Sequence, residues 1–134
     1  MDEKTLELFN NSYESCVRQA GFLERFYGIF LDASPEVRDK FKATDMEKQI
    51  RIMEKSLLLL TIACLGTKEA DEEIARLGQR HGPQGLRIGA HLYDLWLDAL
   101  LQAVSEFDPR WSQAVGDSWR KMFAPYISRL KSYS

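Results

Sequence analysis

The sequence has only two cysteines, Cys16 and Cys64, far apart and outside any CxxC pattern. That excludes a disulfide-dense scaffold and a cysteine-built metal site. Each falls on an apolar helical stripe and reads as a small buried hydrophobe in a reducing compartment. Proline and glycine are sparse too: four and eight residues, most of them at segment ends. No stretch alternates with period two for long, so no strand is expected. The longest apolar run, Leu57 to Leu65, is broken only by Thr61. It is far below the ~18 residues of a membrane span. The opening MDEKTLELFNNS is acidic and polar, unlike a signal peptide. The expectation is a cytoplasmic protein with no membrane partner. Charge of one sign is also lacking: the formal net charge is -2 and the pI about 5.7. That excludes a nucleic-acid binder carried by bulk basic charge.

What is present is one domain's worth of globular sequence. The 134 residues are 45% hydrophobic and 28% charged. A chain near ~150 residues buries about 70% of its unfolded surface, enough for a real core. Residues 1–134 are read as a single domain.

Apolar residues recur at helical spacing throughout. A first helix is expected from about Asp2 to Gln19, with a stripe of Leu6, Phe9, Tyr13, Cys16 and Val17. After Ala20-Gly21 comes a second, carrying Phe22, Phe26, Tyr27, Phe30 and Leu31. Ser34-Pro35-Glu36 combines a capping hydroxyl, a first-turn proline and an acid, and opens a short helix closing at Phe41. Thr44 to Glu47 reads as a capping box, with Thr44 as the cap. Its helix should run to about Leu65 with Met46, Gln49, Ile50, Met53, Leu57, Leu60 and Cys64 inward. Thr67 can cap the next, whose inner face is Ala70, Ile74, Leu77 and His81, stopped by Gly82-Pro83. A long helix is expected from about Gln84 to Ser105, inward at Leu86, Tyr93, Trp96, Leu97, Leu100 and Val104. Asp108-Pro109 is read as the start of the last, which carries Trp111, Val115, Trp119, Met122, Phe123, Tyr126, Ile127 and Leu130, with a kink expected at Pro125. The fold class is therefore all-α, with about six or seven helices.

Polar residues interrupt these stripes. His81 ends one, and Gln49 lies between Met46 and Met53 on another. Tyr27 sits in the aromatic run FLERFYGIF. Each alone is compatible with ordinary packing: a satisfied histidine, a boundary glutamine, a core tyrosine. Together they describe an apolar pocket with an imidazole on one side and a hydroxyl and an amide on the other. That chemistry suits an iron porphyrin, which needs an apolar slot, a neutral imidazole, and donors for a bound diatomic.

The sequence here resembles the bacterial single-domain globins and the haem domain of flavohaemoglobins. FLERFYGIFLDASPEVRDKF looks like that family's second and third helices, with a phenylalanine fourteen residues after the tyrosine. KQIRIM looks like its distal segment and LGQRHGPQGL its proximal one, with Gln49 and His81 32 residues apart. YDLWLDALL and the tryptophan-bearing last helix resemble its two C-terminal helices. The likeness runs along nearly the whole chain, although the loop from Phe41 to Gln49 is about two residues shorter and Tyr93 about two later than in flavohaemoglobins.

The resemblance implies a globin fold enclosing haem b. Its iron ligand would be His81 rather than the other histidine, His91. Tyr27 and Gln49 would hydrogen-bond the gas on the distal side. Phe41, Met53, Leu86 and Trp96 would contact the porphyrin or line its pocket. Arg80 and Arg87, and also Lys48 and Arg51, are candidates to meet the propionates. The implied function is reversible binding of dioxygen or another diatomic gas, for storage, delivery, scavenging or sensing, with no catalytic residue assigned. One alternative is nitric oxide dioxygenation. The sequence holds no flavin or nicotinamide domain, so that activity needs an external reductase. A second is a haem-free structural or sensory module. A monomer or a homodimer is expected.

Overall fold

The structure, a computed structural model, describes residues 3–63, 68, 72, 75, 76, 79 and 89–132, with backbone alone for Leu60 and Ala63. Among these residues there are six α-helices and no strand. They are α1 (Glu3–Val17), α2 (Phe22–Ala33), α3 (Pro35–Phe41), α4 (Met46–Ala63), α5 (Ala90–Phe107) and α6 (Gln113–Lys131). Lys68, Glu72, Ala75, Arg76 and Gln79 are helical as well. The expected Thr67 cap, the rest of the stripe it opens, and Cys64 lie outside the described residues.

Turn chemistry sets where these helices begin. Gly21, before α2, has φ +90°, a left-handed conformation that costs a residue with a Cβ. Ser34 caps α3, its Oγ accepting from the Val37 N–H at 3.2 Å, with Pro35 in the first turn as expected. The next cap differs from expectation. Asp45, not Thr44, starts α4: its Oδ1 accepts from the Glu47 N–H at 3.1 Å and the Lys48 N–H at 3.3 Å. Thr44 instead donates its backbone N–H to the Phe41 carbonyl at 3.0 Å, closing the turn that ends α3.

The two C-terminal helices also begin later than their patterns suggested. Gly89 is extended (φ -68°, ψ 151°), so α5 starts at Ala90 rather than running unbroken from Gln84. Asp108-Pro109 does not open α6. Asp108 closes α5 through its N–H to the Val104 carbonyl at 2.8 Å, and its Oδ1 accepts from the Arg110 N–H at 2.8 Å. Ser112 is the cap, accepting from the Val115 N–H at 3.3 Å. Trp111 therefore stands before the helix, 37% exposed. A single helix, α6, runs through Pro125. A first-turn proline and an i+1 turn proline look alike in sequence; the carbonyl partners available decide between them.

The core is aromatic. Phe9, Trp119 and Phe123 are fully buried and meet edge to face, with centroids 4.9, 5.6 and 5.8 Å apart. Such pairs contribute roughly 0.5–1.5 kcal/mol each beyond area burial. Cys16 is buried, as its stripe predicts, but Val17 is exposed while Thr5 and Ser12 are inside. Ser12 is tolerated there because its Oγ accepts from Trp119 Nε1 at 2.9 Å. α2 packs chiefly on α5, and α1 on α6. Outside the core, Arg25 of α2 makes a bidentate pair with Glu106 of α5 (2.8 and 3.1 Å), and His91 Nε2 of α5 lies 2.7 Å from Glu36 of α3.

Candidate functional site

Among the described residues, the helices enclose a cavity of about 510 Å³, within the range of about 300–1,000 Å³ usual for small-molecule sites. α2 and α3 form one wall. The core face of α2 buries Phe22, Phe26 and Phe30, and Tyr27, one position round, turns its ring to the cavity. Phe41, at the end of the Ser34-capped α3, packs edge-on against Tyr27 at 5.9 Å and Phe30 at 6.1 Å. α4 supplies the facing wall with Gln49 and Met53, one turn apart and so on the same side of the helix. α5 contributes Leu92, Tyr93 and Trp96, and α6 Phe123, Tyr126, Ile127 and Leu130.

Two polar side chains meet inside. Gln49 Nε2 donates to the Tyr27 hydroxyl oxygen at 3.2 Å. The Tyr27 side chain is almost wholly buried, and its own hydroxyl proton goes to no acceptor among the described residues. Burial raises the Tyr27 pKa above the ordinary 10.0, only partly offset by the Gln49 hydrogen bond. The hydroxyl is therefore protonated at neutral pH and remains a donor facing the cavity. Burial pushes Tyr93 up to about 12, so it too is neutral.

The structure brings together Tyr27, Phe41, Gln49, Met53 and Trp96 on this one cavity. Trp96 serves two packing roles at once: it lines the cavity and sits edge-on to Phe26 and Phe123, both at 6.0 Å. His81, Arg80, Leu86 and Arg87 lie outside the described residues. Lys48 and Arg51 are exposed and do not line the cavity. His91 is on the outer surface, 62% exposed and held by Glu36. Sequence reasoning missed Phe30, Lys40, Thr44, Ile52, Ser56 and Tyr126, all on the cavity wall. A signal was available for Lys40, which directly precedes Phe41, and for Ser56, one turn after Met53. Ile52 gave none, since it lies off its helix's inner stripe.

Neither a protein-family profile nor a curated protein matches the chain. Among solved structures, it is similar to a crystal structure of a Pseudomonas aeruginosa PAO1 protein, described as structurally highly homologous to a human hemoglobin. The two are 36% identical, with a TM-score of 0.92, over 96% of this chain and 97% of that one.

Proposed function

The chain belongs to the globins, and on that premise we propose that it binds haem b and, through it, dioxygen or another diatomic gas. The single observation carrying this reading is the Gln49–Tyr27 pair, in which the buried Tyr27 side chain lines a mainly apolar cavity and its hydroxyl accepts from the amide, keeping its own proton to donate. A donor with no acceptor among the described residues, in a low-dielectric site, suits a small polar ligand, because leaving it unpaired costs about 1–3 kcal/mol.

The residues present fit the group. Phe41 and Met53 offer ring and thioether surface for a flat apolar macrocycle. Lys40 and Asp39 stand at the solvent edge of the same cavity. In this reading Lys40 is a cation that a propionate would meet. Of the two histidines in the sequence, His91 is engaged by Glu36 outside the cavity. His81 is the imidazole assigned to iron. Haem, when bound, supplies an iron atom with one position for imidazole and one open to a gas.

The side chains then have separate tasks. Gln49 holds the Tyr27 oxygen and so orients its O–H. Tyr27 donates to the gas. Phe30, Phe41 and Met53 keep water out, which strengthens that hydrogen bond. Reversible gas binding needs nothing more from the protein, so it is preferred to nitric oxide dioxygenation, which adds an electron supply from a reductase.

The test is the absorption spectrum of the purified chain after addition of haem, in ferric, ferrous and carbonyl forms. A Soret band at one haem per chain, lost in His81→Ala and kept in His91→Ala, is expected. No Soret band, or retention in His81→Ala, overturns the reading. Turnover of nitric oxide with an added reductase then separates an enzyme from a carrier.

A further inference from the structure

We propose that Met53 is an oxidation switch: hydrogen peroxide converts its thioether to the sulfoxide, and the sulfoxide oxygen takes the Tyr27 hydroxyl proton, withdrawing that donor from the gas. The modification needs only the cavity; its effect on gas binding rests on the haem reading.

Met53 is set apart from the other described methionines by its place. It lines the cavity and is only 5% exposed. Met122 is fully buried and Met46 half-buried, and neither lines the cavity. A small polar oxidant therefore reaches Met53 through the cavity, at whose edge stand the exposed Asp39 and Lys40. A methionine inside a protein usually fills a gap. This one shares a helix face with Gln49, one turn earlier, a spacing that sets Cβ atoms about 5–6 Å apart. Glutamine and methionine are unbranched chains of similar length. The thioether is thus within side-chain reach of the amide that holds the Tyr27 oxygen at 3.2 Å. Cys16 does not compete for the oxidant: it is buried away from the cavity, and burial keeps its thiol protonated.

The step balances. The sulfur lone pair attacks one peroxide oxygen, and the S–O bond forms as the O–O bond breaks. The proton on the transferred oxygen passes to the departing one, which leaves as water. Sulfur gives up two electrons and the peroxide takes them, so one thioether and one peroxide become one sulfoxide and one water. The Tyr27 hydroxyl can donate to the departing oxygen, where negative charge develops.

The product changes the hydrogen bonding of the site. A thioether sulfur is a weak acceptor, whereas a sulfoxide oxygen carries much of the S–O bond's charge and is a strong one. Placed in an apolar wall, it needs a donor. The Tyr27 hydroxyl has a proton with no acceptor among the described residues. Once the two are paired, a gas must compete with a built-in acceptor for that proton.

The experiment uses the full chain loaded with haem, its loading read from the Soret band. Hydrogen peroxide is added, catalase ends the exposure, and the methionine peptides are weighed by mass spectrometry. One added oxygen is expected on Met53. Stopped-flow release of dioxygen should then quicken roughly 5- to 10-fold, the loss of one net hydrogen bond. Met53→Leu, of similar volume without sulfur, should release dioxygen at one rate before and after treatment. Met46→Leu should respond as the wild type does. Tyr27→Phe should still gain the oxygen on Met53, but its rate should not move, because no donor is left to withdraw. Where peroxide bleaches the haem, the chain is oxidised first and loaded afterwards. An unmodified Met53, a release rate that its oxidation does not move, or equal quickening in Tyr27→Phe overturns the inference and leaves the haem reading standing. An oxidised chain that no longer holds haem overturns it too, since the sulfoxide then breaks the pocket rather than its donor. An untreated chain that takes up no haem overturns both.

Discussion

At the scale of residues, the hydroxyl of Tyr27 is the group with most to report. Tyr27→Phe keeps the ring packed between Phe26 and Phe41 and removes only the donor. A net hydrogen bond of ~1–1.5 kcal/mol corresponds to roughly 5- to 10-fold slower release of dioxygen. Stopped-flow dissociation should therefore quicken by about that factor in Tyr27→Phe, with carbon monoxide affected less because it is the less polar ligand. Equal rates in the two proteins would reduce Tyr27 to packing. Cys16 and Tyr93 make a different prediction. Burial, aided by the Asp108 charge and opposed by a Ser12 hydrogen bond, pushes the Cys16 thiol from 9.0 up to about 12. Burial moves Tyr93 from 10.0 to about 12. Both groups ionise first in the unfolded chain. Their contribution is whole below the unfolded values and is lost as pH rises through the window from 9.0 to about 12. Urea midpoints should fall across that window, and in Cys16→Ala the fall should begin later, near 10.0, where the tyrosines start. A midpoint unchanged from pH 9.0 to about 12 would contradict this.

At the scale of elements, caps decide where helices start. Asp45 accepts two N–H groups at the head of α4, and α4 carries both Gln49 and Met53. Asp45→Ala should cost ~1 kcal/mol of unfolding free energy. Thr44→Ala should cost only a fraction of that, since no side-chain cap is removed. The reverse order in urea unfolding would restore the Thr44 capping box. The α3–α5 contact through Glu36 and His91 is a surface hydrogen bond, and the α5–α6 pair of Asp94 with Lys131 at 2.8 Å is a surface ion pair. They fix orientation more than stability.

At the scale of the whole molecule, the cavity is the space enclosed where α2–α3, α4, α5 and α6 meet. A ligand that binds the folded chain but not the unfolded one stabilises it by mass action, about 2.7 kcal/mol at a hundredfold excess over Kd. Added haem should therefore raise the thermal midpoint, and the rise should grow with free haem concentration. Identical melting with and without haem would mean that the cavity does not take it. Because Tyr27, Gln49 and Phe41 come from three helices, that stabilisation should appear as one cooperative shift of the whole transition.

Helix existence, helix order and the inward side of most helices were legible in the sequence, because period 3.6 is a local property of burial. Tyr27 and Gln49 stood out in the sequence because a polar group on an apolar stripe needs a partner, whereas Phe41, Met53 and Trp96 were reached through the resemblance to globins; all five line the cavity. Tertiary structure decided what local pattern leaves open. Asp45 over Thr44, and Ser112 over Asp108, depend on which N–H groups the chain path presents. The inward place of Ser12 depends on Trp119, 107 residues away. The cavity places of Ile52 and Tyr126 depend on how α4 and α6 are rotated against α2 and α5. Period tells which residues of one helix share a face; only the packing of several helices tells which faces surround the same space.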